Sequence, residues 1–408
     1  MNNSKLPALT SLRFFAAAAI VLEHSIPYFH IGEAFAAKYI LIQGVTFFFV
    51  LSGFILTYQY GNLSGVGEGL RFIYKRIAKI WPAHIATMLA FYALLVVGVG
   101  IAYDPSTEMW AANASLLQAW DPTPSGYFAF NSVAWTLSVE LFFYVSFPVL
   151  ITNFDRTWHV KLAGAAVLVL YAISLANNMG AKSFDGQDVA SIGSWVYIWP
   201  PAHLVEFVLG MVAGHLWKKY KQHFDDKWMS TGAEIFGITL VLIGSAKMPG
   251  LAWRMWAAGY IGEASRSWLS VSGSAPLYAV GVFLIASGKG YIGRALSISP
   301  LVKLGEISFA MYLAHQIIVR ILQLKPSMLM WPTGWTMEAQ FAYYWLATIA
   351  VSAVLWFAIE KPCQSLMIFA IKHRARVSTS TSQIAENQRG KLTTVGAPPV
   401  NENTAVSP

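Results

Sequence analysis

Long apolar blocks alternate with short polar runs along most of this chain. Ten blocks, near residues 9–29, 40–60, 82–103, 133–152, 161–178, 198–217, 232–247, 274–288, 303–323 and 339–360, reach or approach the length of helix that crosses ~30 Å of hydrocarbon. The seventh and eighth are the shortest. Residues 377–408 break the pattern, being polar, rich in Ser, Thr and Pro and nearly free of large apolar side chains. The pattern predicts an all-α polytopic membrane bundle of about ten transmembrane helices at 1–371 and a disordered cytoplasmic tail at 372–408.

Composition agrees. Of 408 residues, 56% are hydrophobic and 12% charged, with a mean hydropathy of +0.50, against about 25% charged in a soluble domain. The net charge of +8 reads as topology. Of the 28 Lys and Arg, 20 fall on the side of the N-terminus, six on the other side, and Arg13 and Arg320 within spans. The positive-inside bias therefore places both termini in the cytoplasm. No soluble basic face of the kind that binds nucleic acid is visible. The single cysteine, Cys363, excludes an intrachain disulfide and a cysteine metal cluster. No histidine pair or His/Glu cluster has metal-ligand spacing within one helix, so no metal is expected.

Ionisable residues inside the apolar blocks change the picture. An arginine at the centre of a membrane helix costs about 2.5–3.5 kcal/mol. In "SLRFFAAAAIVLEHS" Arg13 and His24 are eleven residues apart, three turns plus ~20°, so they share a face ~16 Å apart along the axis. That spacing suits a long ligand with an anion at one end and chemistry at the other. Read structurally, Arg13 snorkels to the interface and His24 packs. "RFIYKRIAKIWPAH" places Arg76 and Lys79 at i, i+3 with Arg71 and Lys75 close by. On a helix this is a cationic patch suited to phosphate oxygens, or plain positive-inside topology.

Three further stretches carry polar groups at membrane depth. Glu140 lies in "WTLSVELFFYVSFP", between Trp135 and Tyr144. A buried carboxylate has a partner or a proton; it either orients His24 or pairs structurally. "LGEISFAMYLAH" puts Gly305, Ser308, Tyr312 and His315 on one helical face, which suggests a cavity and a second candidate base. Ser52-Gly53 interrupts "GVTFFFVLSGFIL" and allows close helix packing or a cavity wall. His203 and Glu206 form another polar pair at i, i+3.

In this order and spacing, the stretches resemble the acyltransferase-3 family of integral membrane O-acyltransferases over roughly residues 6–363. The first helix resembles the family's R-x₁₀-H pattern, "KRIAKIWP" its R-x-x-R motif, "WTLSVELFFYVSFP" its W-S-L-x-x-E motif, "LGEISFAMYLAH" its late G-x-x-S-Y-x-x-Y-L-x-H motif, and "FAIEKP" its closing E-x-P. Thr10-Ser11 replaces the acid that commonly precedes the first-helix arginine. Lys79 replaces the second arginine of R-x-x-R, and Thr136 the serine of W-S-L.

The resemblance implies transfer of an acyl group, usually acetyl, from acyl-CoA bound at the cytoplasmic side to a hydroxyl of a sugar, glycolipid or cell-surface polysaccharide. It implies a multi-pass protein of the bacterial inner membrane working beside polysaccharide-biosynthesis proteins. Carried over, Arg13, Lys75, Arg76 and Lys79 hold the donor phosphates, and His24 acts with Glu140 as base or acyl carrier. Ser52, Trp135, Ser308, Tyr312 and His315 line the substrate cavity. The alternative of a different class is a proton-coupled transporter or flippase, in which the buried Arg, Glu and His form a relay.

Overall fold

The computed structural model describes residues 6–371 apart from 64, 99–104, 184–185, 330–331 and 333; the expected tail at 372–408 lies outside the described residues. Among the described residues there is no strand, and nine helices are long and apolar enough to cross a membrane. In chain order the helices are α1 (Pro7–Phe29), the short α2 (Glu33–Lys38), α3 (Gly44–Gln59) and α4 (Val66–Val96). After them come α5 (Thr107–Ala114), α6 (Pro124–Tyr127), α7 (Trp135–Leu150), α8 (Phe154–Asn178) and α9 (Leu204–Tyr220). The remainder are α10 (Lys227–Ala257), α11 (Glu263–Ser272), α12 (Ala275–Ile285), α13 (Tyr291–Leu296), α14 (Ser299–Leu324) and α15 (Met337–Leu355).

The sixth expected span, 198–217, takes a broken form. A π turn at Ser194–Ile198 and a 3₁₀ turn at Pro200–His203 precede the 17-residue α9. Pro200 and Pro201 supply no N–H, which prevents one continuous α-helix here. At about 26 Å α9 is shorter than the hydrocarbon, and it is buried against α3. The seventh span, expected at 232–247, is the 31-residue α10, and the eighth is α11 and α12 stacked end to end. The basic stretch at 71–84 lies within α4, because the helix begins at Val66, well before its apolar half.

Successive long helices alternate in direction. The turns after α3, α7, α9 and α12 gather at the end where α1 begins, here the near end. There Lys289 pairs with Asp225, and Ser11 Oγ donates to Leu296 O at 2.5 Å. The segments after α1, α4, α8 and α10 meet at the far end, where Ser125 N donates to Gln187 O at 2.8 Å and Ile40 N to Ser245 O at 3.4 Å.

Helix α3 is the centre, with 72% of its apolar window buried; α10, with 17%, lies outermost. Lipid tails are as apolar as Leu, so close backbone packing has to hold the centre together. A Cβ on Gly210 would stand 1.9 Å from Val50 O, and one on Gly53 2.0 Å from Phe207 O. These glycines let α3 and α9 touch, so Gly53 serves packing. At the α1–α14 interface a Cβ on Gly305 would stand 2.0 Å from Thr10 O. That contact sets the distance between the two helices carrying the polar residues.

Candidate active site

Arg13 and His24 lie on one helix without a break. Pro7 opens α1 at its first turn, where a missing N–H costs nothing, and His30 closes it in a left-handed conformation at φ 54°. The eleven-residue interval holds its ~16 Å. One residue therefore serves the near end and the other the far end.

At the near end, Arg13, Ser52, Arg76, Lys79, Glu140 and Tyr144 line a pocket of ≈ 60 Å³. Arg76 Nη2 donates to Tyr60 Oη at 2.9 Å and to Gln59 Oε1 at 3.3 Å. Its guanidinium stacks 5.2 Å from the Tyr60 ring and 5.5 Å from that of Phe72, while its buried Nε bonds nothing among the described residues. Tyr144 Oη donates to Glu140 Oε2 at 2.7 Å. Glu360, buried at the π turn Trp356–Glu360, lies within electrostatic reach of Lys79 and Arg13, and its Oε2 bonds nothing among the described residues. Three basic side chains and two carboxyl groups thus meet there, a set of groups suited to holding an anion. Arg71 and Lys75 are exposed on the outer side of α4.

At the far end a cavity of ≈ 880 Å³ is lined by His24, Trp135, Tyr197, Tyr312, Asp188 and Arg320, among others. His24 Nδ1 lies 2.9 Å from His315 Nε2, and Gln316 Nε2 lies 2.8 Å from the same Nδ1. The tautomers follow from one fixed group. His315 Nδ1 sits 3.2 Å from Met311 O, and a carbonyl only accepts, so His315 Nδ1 carries the proton. Neutral His315 then offers its Nε2 lone pair to His24 Nδ1–H. Turning the Gln316 amide places its carbonyl on that same proton. His24 is left with an unprotonated Nε2, which bonds no protein atom among the described residues. That is the state of a base.

A third, smaller cavity lies between the two ends. At ≈ 40 Å³, it shares Arg13, Phe48 and Glu140 with the cationic pocket, and Val45 and Tyr312 with the large cavity. Tyr312 is fixed there by donating to Val133 O at 3.1 Å, with Thr136 Oγ1 3.2 Å from its hydroxyl. Trp135 stands in the wall, backed by a buried pair. His203 Nδ1 bonds Glu206 Oε2 at 2.7 Å, and His203 Nε2 donates to Tyr197 O at 2.6 Å. The His203 ring lies 5.8 Å from that of Trp135.

The structure thus gathers His24, His315, Tyr312 and Trp135 at one end, and Arg13, Arg76, Lys79, Glu140 and Ser52 at the other. Ser308 donates to Gly305 O of its own helix at 2.8 Å and is fully buried. Glu140 makes no hydrogen bond to His24; the imidazole's partner is His315. Gln316 and Glu360 had no assigned role in the sequence reading. Gln316 follows His315 by one residue, where helical periodicity separates faces. Glu360 did carry a signal, as a carboxylate ending an apolar block.

Comparison with known proteins gives the family. Residues 6–360 match the acyltransferase domain family. Acyltransferase MdmB of Streptomyces mycarofaciens is 26% identical, over 95% of this chain and 98% of its own length. Nodulation protein 10 of Rhizobium leguminosarum bv. viciae is 26% identical, over 90% of this chain and 95% of its own. O-acetyltransferase OatA of Staphylococcus aureus is 22% identical over 77% of this chain, which spans half of that longer protein. No solved structure matches. With the match running from the start of α1 to the buried Glu360, the chain belongs to the acyltransferase-3 family of integral membrane O-acyltransferases.

Proposed function

We propose that the chain transfers an acyl group, acetyl by preference, from acyl-CoA to a hydroxyl of a sugar, glycolipid or cell-surface polysaccharide. In this reading the near end faces the cytoplasm of a bacterial inner membrane, in keeping with the 20 of 28 Lys and Arg on that side. Arg13, Arg76 and Lys79 hold the donor's phosphates. Its linear arm runs along the small cavity beside Phe48 and Tyr312, and the thioester reaches the large cavity where the acceptor lies.

One observation carries the reading. A cationic pocket and an imidazole nitrogen with no protein partner among the described residues sit toward opposite ends of one helix, with a small cavity between them. A free hydroxyl is a poor nucleophile at neutral pH, so a base within hydrogen-bond reach is needed. His24 Nε2 takes the proton as the hydroxyl oxygen bonds the thioester carbon. The C–S bond then breaks, and the proton passes to the departing thiolate. His315 and Gln316 hold the ring so that Nε2 points into the cavity. Fixing both reactants against α1 removes much of the entropic barrier. The acetyl preference leans on the O-acetyltransferase among the relatives.

The test is turnover of labelled acetyl-CoA by the purified protein, wild type against His24→Ala. Saturable donor binding in both, with hydrolysis or transfer lost only in the variant, is the expected result. Retained turnover in the variant ends the assignment of His24.

A further inference from the structure

On the side of α1 turned away from the site, a second large cavity of ≈ 570 Å³ opens between α1, α10 and α12. Leu12, Phe15, Ala16, Ala18, Ala19 and Leu22 form its α1 wall, all on one face of the helix. Val241 and Leu242 face them from α10, and Ile285 from α12. The exposed Phe15 (46%), Leu242 (44%) and Phe35 (48%) belong to this lining, so the mouth looks sideways at bilayer depth. Ile292 and Leu296 of α13 wall one end; Phe35, Tyr39 and Ile40 wall the other, where Ile40 N is tied to Ser245 O.

Three of the polar side chains that line this cleft, Tyr278, Gln43 and Ser245, are engaged with one another. Tyr278 Oη donates to Gln43 Oε1 at 2.5 Å and lies 2.7 Å from Ser245 Oγ; Gln43 Nε2 donates to Ser270 O at 2.6 Å. The rest of the lining is almost wholly apolar and offers a polar ligand few partners, and water needs two to four. An empty cleft of this size would deprive its walls of dispersion contact. The 3₁₀ turn Leu41–Gln43 separates the cleft from the His24 cavity: Leu41 and Gln43 line the cleft, and Ile42 lines the His24 cavity.

We infer that this cleft is a binding site for one acyl chain of a bilayer phospholipid, inserted from the side. The occupant is a surrounding lipid, because the cleft is walled at both ends and shares no lining residue with the large cavity through which a substrate's head group would reach His24. The chain packs against Ala16 and Ala19, and so braces the helix that carries Arg13 and His24 from the opposite face.

The test uses the full chain in phosphatidylcholine vesicles carrying phosphatidylethanolamine with a photoreactive diazirine on one acyl chain. Crosslinked peptides are compared with the peptide around Val167, an exposed position on α8. Peptides containing 12–22 and 238–245 should label well above that reference in the wild type. They should fall to it in Ala19→Phe, whose ring fills the cleft; Val241→Phe, from the facing wall, gives the same readout if the first variant does not fold. Wild-type labelling at the reference level, or labelling that survives both filled variants, overturns the site. Loss of cleft labelling on adding a trace of polyprenyl phosphate, but not the same trace of phospholipid, overturns the assignment to a bulk lipid.

Discussion

His24 Nδ1 and His315 Nε2 are 2.9 Å apart with their rings 7° from parallel. Each imidazole is the other's orienting partner, and the backbone carbonyl of Met311 sets the direction of the chain of protons. Replacing His315 by Phe keeps a ring against His24 but removes the acceptor for its Nδ1 proton. The turnover number should then fall roughly 10²-fold, within the range that positioned acid–base groups supply. Donor Kd should stay unchanged, because the cationic pocket lies at the other end of α1. An unchanged turnover number in His315→Phe would remove His315 from the mechanism.

The near-end cations should act on binding. Hydrogen bonds to charged groups contribute about 1.5–3 kcal/mol, so Arg76→Ala should weaken acetyl-CoA binding by between about tenfold and a hundredfold. Arg76→Lys keeps the charge but loses the fork that reaches Tyr60 and Gln59, and should fall between the two. Isothermal titration with CoA and with dephospho forms of it reads both effects. Equal loss for a donor stripped of its phosphates would show that Arg76 does not bind them.

Glu360 gives a different signature. Its carboxylate sits within reach of Lys79 and Arg13 without bonding either, so it balances their charge while the pocket holds no anion. Glu360→Gln leaves the cations less compensated. The purified protein should lose stability of order 1 kcal/mol without ligand, and saturating CoA should restore it, since the anion then supplies the missing charge. Thermal unfolding in detergent with and without CoA measures this. A CoA-induced shift no larger than in the wild type would refute the role.

Much of this arrangement was legible in the sequence because lipid leaves the backbone few choices. The apolar blocks became helices, and Arg13 and His24 took the face and separation that helical arithmetic assigns. What sequence could not supply was contact between helices. Glu140 was the candidate to orient His24 and His315 a second candidate base, since periodicity fixes a residue's face but not the facing helix. The outcome depended on Gly305, which lets α14 approach α1. The break before α9 was hidden for another reason. Hydropathy runs straight through Trp199-Pro200-Pro201, although the two prolines end the helix there. The basic stretch at 71–84 was placed beside a span rather than inside α4, because its charges lower the hydropathy of a helix that continues regardless.

The α1–α14 contact links fold to chemistry and can be tested by a single methyl group. A Cβ on Gly305 would stand 2.0 Å from Thr10 O, a backbone atom that cannot rotate away, whereas a Cβ on Gly67 meets nothing within 4 Å. Gly305→Ala must therefore push the two helices apart. Overpacking of this kind costs about 1–3 kcal/mol, and Gly67→Ala should cost far less. The displacement also lengthens the His24–His315 hydrogen bond, which lies farther along the same pair of helices. Gly305→Ala should thus lower both thermal stability and turnover number, and adding His315→Phe should cost little further turnover because the two changes remove the same contact. If the two losses in turnover multiplied independently, Gly305 would be a packing residue with no part in positioning His24.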